Sequence, residues 1–209
     1  MTTDKGEAPQ DISADLAFVK ALVSEGGRAQ MSGGAAFFAS GLCYGAQCLV
    51  QGGEMLGWYR LSAQANLVAG IAPTVVFIVA LAWILGRNRN TGPRGVATRA
   101  LDAAFGSAGL ANLFMVFAFG YNAITQRNIA IWFYYPLVVC AFQGAVWYSA
   151  YMIRRKLWLA LVSAGWFLTV VVAAVLIRSA WYVLVLGAAL LILMGGSGWH
   201  MMRQAKRAD

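Results

Sequence analysis

Charge is what this chain of 209 residues has least of. Only 11% of its residues are Asp, Glu, Lys or Arg, against roughly a quarter in soluble domains. A water-soluble fold of this size must cover its core with polar surface, and these residues are too few to do so. The same scarcity, with 60% apolar residues, excludes a disordered chain.

Histidine is nearly missing. His200 is the only one, which excludes an HExxH zinc protease and a haem held by two histidines. Flanked by Met201 and Met202, it reads as an interfacial histidine rather than a soft-metal ligand. The three cysteines, Cys43, Cys48 and Cys140, form no CxxC pair and read as small packing residues. No GxxxxGK[ST] exists to hold a nucleotide. No Asp, Glu, Lys or Arg falls in the middle of an apolar run. That speaks against carboxylate-coupled antiport, an aspartyl intramembrane protease and a charge-bearing voltage sensor. The expectation is therefore no enzyme, no catalytic or metal residues and no cofactor.

What the chain does have is length without charge. Apolar runs occupy 33–51, 64–85, 100–121, 129–151, 157–177 and 180–202, each of 19 to 23 residues. At 1.5 Å per residue they reach about 28–35 Å, the thickness of a hydrocarbon core. They lack the alternation of a transmembrane barrel strand. The fold class this predicts is all-α, a polytopic membrane protein built as a six-transmembrane-helix bundle. A segment 1–32 precedes the bundle at 33–203, and a tail 204–209 follows it.

The basic residues set the orientation. Lys5, Lys20, Arg28, Arg87, Arg89, Arg94, Arg99, Arg154, Arg155, Lys156, Arg203, Lys206 and Arg207 fall on one side of the six runs, and only Arg60, Arg127 and Arg178 on the other. The positive-inside rule then places both termini in the cytoplasm. The net charge of +8 is thus topological and does not point to nucleic acid. The first 30 residues carry five acids and no apolar signal region, so the first span is expected to act as its own insertion signal. The Ala, Gly and Arg richness suggests a bacterium, and with it the inner membrane. Aromatic residues at the run ends, such as Trp58, Tyr59, Trp132, Phe133, Tyr134, Tyr135, Trp181 and Tyr182, read as interfacial anchors.

Residues 11–25 predict a short amphipathic helix, with Ile12, Leu16, Val19 and Val23 on one stripe, Asp11 as its N-cap and Gly26-Gly27 as a terminating hinge. Its acids suit docking onto the protein's own cytoplasmic face, or onto a partner, better than a lipid surface. The loop 86–98 is expected to end at Thr98 as the cap of the third span, with Asp102 in the first turn. Arg87, Arg89, Arg94 and Arg99 around that loop are candidates for contact with anionic lipid.

Three amides interrupt the apolar runs: Gln47, Asn112 and Gln143. Each needs a partner in hydrocarbon, either a neighbouring helix or a wet cavity. Counted along the runs, the two glutamines differ by something like 10–15 Å in height. The three either make separate interhelical hydrogen bonds or line a polar track. Their matching positions in spans one and four hint at an inverted three-plus-three repeat. Small residues, including the pair Gly41 and Gly45, mark close helix approach or association with a second copy or another protein. Two functions follow from these features: a non-catalytic structural, accessory or partner-binding component, or a small-solute transporter or channel.

Overall fold

The computed structural model describes the backbone of residues 8–87 and 95–207, with side chains from Gln30 onward. Among the described residues every regular element is helical. Helix α1 runs Ala8–Met55, α2 Ala63–Arg87 and α3 Val96–Thr125. A 3₁₀ turn, Ile129–Tyr134, leads into α4, Tyr135–Arg154, followed by α5, Leu157–Leu176. The last span is composite: α6, Trp181–Ala189, passes through a π-helical segment, Leu190–Gly195, into α7, Gly196–Lys206. Six helical stretches are long and apolar enough to cross a membrane: Gln30–Met55, Ala63–Arg87, Val96–Thr125, Ile129–Arg154, Leu157–Leu176 and Trp181–Lys206. This is an all-α helical bundle compatible with a multi-pass membrane protein.

The turns are built by local chemistry. After α1, Gly57 takes a positive φ of 77° that suits a residue without Cβ. The Glu54 carboxylate then accepts hydrogen bonds from the Leu61 N–H (3.1 Å) and the Asn66 amide (2.8 Å), tying α1 to α2. Asn128 accepts from the Ala130 N–H at 3.0 Å and starts the 3₁₀ turn. Pro136 falls in the first turn of α4, where its missing N–H has no helical acceptor to lose. Arg155 ends α4 in the left-handed region, its N–H bonded to the Tyr151 carbonyl at 2.7 Å.

Two expectations are corrected here. The helix does not stop at Gly26-Gly27, nor does it start at Asp11: α1 is continuous from Ala8, with Pro9 in its first turn. An interior glycine costs a helix only about 1 kcal/mol. No proline follows the pair, and Arg28, Ala29, Gln30 and Met31 beyond it are good helix formers. Thr98 does not cap α3 either. The cap is Gly95, without a side-chain hydrogen bond, so Thr98 lies inside the first turn and Asp102 in the second.

Packing is uneven. The composite last span lies antiparallel against α1, and α5 lies against α4; α2 flanks α1, and α3 flanks α4. The core forms where these pairs meet, around Trp147, Trp166 and Tyr182, with Leu159, Ala173 and Leu186. Phe37 of α1 and Phe105 of α3 close it. In its most apolar stretch the last span is 44% buried, α2 6% and α3 0%. Those two helices are therefore the bundle's outer flanks. One end of the bundle holds Arg87, Arg99, Arg154, Arg155, Lys156, Arg203, Lys206 and Arg207. The opposite end holds Glu54, Arg60, Arg127 and Arg178.

Candidate functional site

The three intramembrane amides meet different fates. Gln47 donates its side-chain N–H to the Gly70 carbonyl of α2 at 3.2 Å. This satisfies a backbone oxygen and directs the amide toward α2. The side-chain oxygens of Asn112 and Gln143 are both shielded and have no hydrogen-bond partner. An apolar surrounding makes an unpaired acceptor costly, by about 1–3 kcal/mol.

Ring contacts give the relative heights. Phe37, Phe105 and Trp147 pack together, with centroids 5.1 to 5.5 Å apart, and mark one level on α1, α3 and α4. Counting outward from that level at 1.5 Å per residue, Gln143 stands roughly 6 Å above it, Asn112 roughly 10 Å and Gln47 roughly 15 Å. Phe119 against Tyr135, at 6.1 Å, carries the α3–α4 register to the far end. Asn112 and Gln143 are thus on adjacent helices within about one turn of each other, and Gln47 lies higher, on the α1–α2 seam.

A second polar cluster sits toward the basic end. Gln30 of α1 donates to the Gln204 side-chain oxygen at 3.0 Å, and Gln204 in turn contacts His200 Nε2 at 2.8 Å. Because the Gln204 amide nitrogen can only donate, His200 Nε2 is the acceptor. The imidazole also packs edge-on against Trp158, centroids 4.9 Å apart. Trp158 in turn meets Trp147 edge-on, centroids 5.8 Å apart. The indole N–H groups of Trp147, Trp158 and Trp166 have no hydrogen-bond partner. Among the described residues no group of three His, Cys, Asp or Glu is placed to hold a metal ion. The cysteines are free; Cys140 is buried in the core, and Cys48 packs beside Gly187.

Of the four arginines considered for lipid contact, Arg87 lies over the Trp83 ring at 5.5 Å. Arg99 occupies the first turn of α3, its backbone N–H bonded to Gly95. Arg89 and Arg94 lie outside the described residues. At the opposite end Trp132 stacks on Tyr135, centroids 5.3 Å apart and planes at 30°.

The seam that organises the bundle was only half visible in the sequence. Gly34, Gly41, Gly45 and Gly52 form one face of α1 at spacings of seven, four and seven. A Cβ on any of them would strike the last span, at Gly198, Gly195, Leu191 or Leu184. Gly41 and Gly45 alone are a common pair; the longer row, which repeats with helical period, was the stronger signal. The π segment facing this row has no sequence signature of its own. No protein-family model, no curated protein and no solved structure matches this chain.

Proposed function

We propose that this chain is a multi-pass protein of the bacterial inner membrane, with both termini cytoplasmic, that acts as a non-catalytic structural or accessory component. Its role is to hold a membrane partner, another protein or a second copy, against α3. The supporting observation is the contrast between its two glycine faces. The row on α1 is filled by the last span, whereas a Cβ on Gly106 or Gly109 of α3 meets nothing within 4 Å. Around them Leu110, Leu113, Phe114 and Phe117 are exposed. Small residues flanked by large apolar ones suit close helix–helix approach in a bilayer. The sequence adds one histidine and no acid in the middle of a span, poor material for catalysis. The N-terminal part of α1 is a second handle for a partner.

Purification from the native membrane in mild detergent tests the reading. Copurifying protein, or a second copy, is expected to be lost in a Gly106→Leu/Gly109→Leu variant or on removal of residues 1–26. An unchanged set in both variants overturns it.

A second reading, a small-solute transporter or channel along Gln143, Asn112 and Gln47, is favoured by the two shielded, unpaired oxygens at similar height. A hydrogen-bond donor, water or solute, would complete them. Single cysteines at 47, 112 and 143, in a background without Cys43, Cys48 and Cys140, would then react with a water-soluble thiol reagent. Silence at all three positions removes this reading.

A further inference from the structure

The seam between α1 and the last span leaves a groove on the bundle's outer surface. Its walls are Phe38 and Leu42 of α1 and Leu191 and Trp199 of the last span; Gly195 and Gly196 lie between them, and its volume is about 410 Å³. That lies within the 300–1,000 Å³ range of small-molecule sites. The groove follows from the sequence. The π segment shifts the helical register at Leu190–Gly195. Gly195 has no side chain, so α1 approaches its backbone directly at Gly41. Gly196 continues the gap, and a Cβ built there meets nothing within 4 Å.

The groove is apolar, but a cation stands at one end. Trp199 packs against Phe38, centroids 6.0 Å apart, and the Arg203 guanidinium lies over the Trp199 ring at 5.0 Å. Among the described residues that guanidinium has no carboxylate partner. From Leu191 to Arg203 is twelve residues, roughly 18 Å of helix. One leaflet's share of a ~30 Å hydrocarbon core is similar. With Leu191 near the midplane of a bilayer, Arg203 would reach headgroup height.

We propose that this groove is a binding site for one anionic phospholipid. An acyl chain lies along Phe38, Leu42, Leu191 and Gly196, and the phosphate pairs with Arg203. The site lies in the leaflet on the basic end, where Lys206 and Arg207 add positive potential. It is separate from the arginines around the α2–α3 loop.

Native mass spectrometry of the full chain in detergent tests this, with dioleoyl-phosphatidylglycerol and dioleoyl-phosphatidylcholine titrated in turn. One phosphatidylglycerol is expected to be held in preference to phosphatidylcholine. Arg203→Gln lowers that preference about five-fold, the effect of one cation near a charged headgroup. Gly196→Leu fills the groove without meeting protein atoms at its Cβ and lowers retention of both lipids about ten-fold or more. Leu42→Trp, filling it from the α1 wall, does the same. Lys156→Gln, at the same end but on the α4–α5 turn, leaves binding unchanged. Equal binding of the two lipids to the unaltered chain overturns the proposal, as does undiminished retention in either groove-filling variant. A dimer that Gly196→Leu dissociates while lipid binding persists would also overturn it, assigning the groove to a second copy.

Discussion

Gly41 of α1 lies directly against Gly195 of the last span: a methyl group on Gly41 would stand 2.7 Å from the Gly195 Cα and 2.8 Å from the Leu190 carbonyl oxygen. Both neighbours are backbone, so no rotamer change can make room. The π segment and α1 are thus fitted to each other at a point where neither carries a side chain. Gly198 repeats the arrangement nearer the basic end, against the Gly34 oxygen and Phe38. Lipid tails are as apolar as the helices they surround, so such close contact, rather than hydrophobic burial, holds the pair together.

Gly41→Val is therefore expected to separate α1 from the last span at a cost of about 3 kcal/mol or more, as severe overpacking does. Thermal unfolding in detergent, followed by tryptophan fluorescence, should show a clear fall in Tm. Gly106→Ala on α3 is the control. With open space around it, the added methyl should raise Tm slightly, because glycine weakens a helix interior by up to about 1 kcal/mol relative to alanine. Equal effects from the two changes would mean that the seam does not hold the bundle together.

The Tyr182 hydroxyl donates to the Phe133 carbonyl, joining α6 to the 3₁₀ turn before α4, and the two rings meet edge-on at 6.0 Å. Tyr182 is almost wholly buried. Tyr182→Phe keeps the ring and removes the donor, which leaves a carbonyl unpaired. A loss of about 1–2 kcal/mol in equilibrium unfolding is expected. A neutral result would show that water replaces the hydroxyl at that carbonyl.

The six spans were legible because a run of about 20 apolar residues is a local signal, strong enough to place each span to within a few residues. Other features depend on the partner helix. Nothing around Leu190 announces a π segment, since its register shift makes sense only with Gly41 opposite. The glycines of α1 were visible, but which helix would fill that face was not. Gln47, Asn112 and Gln143 look alike in the sequence, each an amide in an apolar run. Only tertiary packing distinguishes Gln47, whose N–H reaches the Gly70 carbonyl, from the other two, whose oxygens are left unpaired. The pair Gly26-Gly27 looks like a stop in the sequence, yet α1 runs through it, because glycine weakens a helix without forbidding it.

That path can be measured. Spin labels at positions 18 and 32 are fourteen residues apart and should give one narrow distance of about 21 Å between backbone sites if α1 is a single helix. A broad or shorter distribution would restore a hinge between them. Gly26→Ala/Gly27→Ala should leave the distance unchanged, because it strengthens a helix that is already continuous.

The unpaired oxygens of Asn112 and Gln143 separate the two functional readings by their effect on stability. A shielded acceptor without a partner destabilises the fold, and replacing it with an apolar group of similar shape removes that cost. Gln143→Met and Asn112→Leu are close in volume to the residues they replace. If the bundle is a scaffold with dry α3 and α4 contacts, each change is expected to raise stability by about 1 kcal/mol, and the two should add. If the oxygens share a bound water or solute, the first substitution breaks that contact and lowers stability. The second then costs little more, since the partner is already lost. Coupling of this kind between neighbouring sites amounts to about 0.5–3 kcal/mol in double-mutant cycles. Chemical unfolding of the two single variants and the double variant decides between them. Additive stabilisation supports the accessory role, and a coupled loss supports a hydrated path past Gln143 and Asn112.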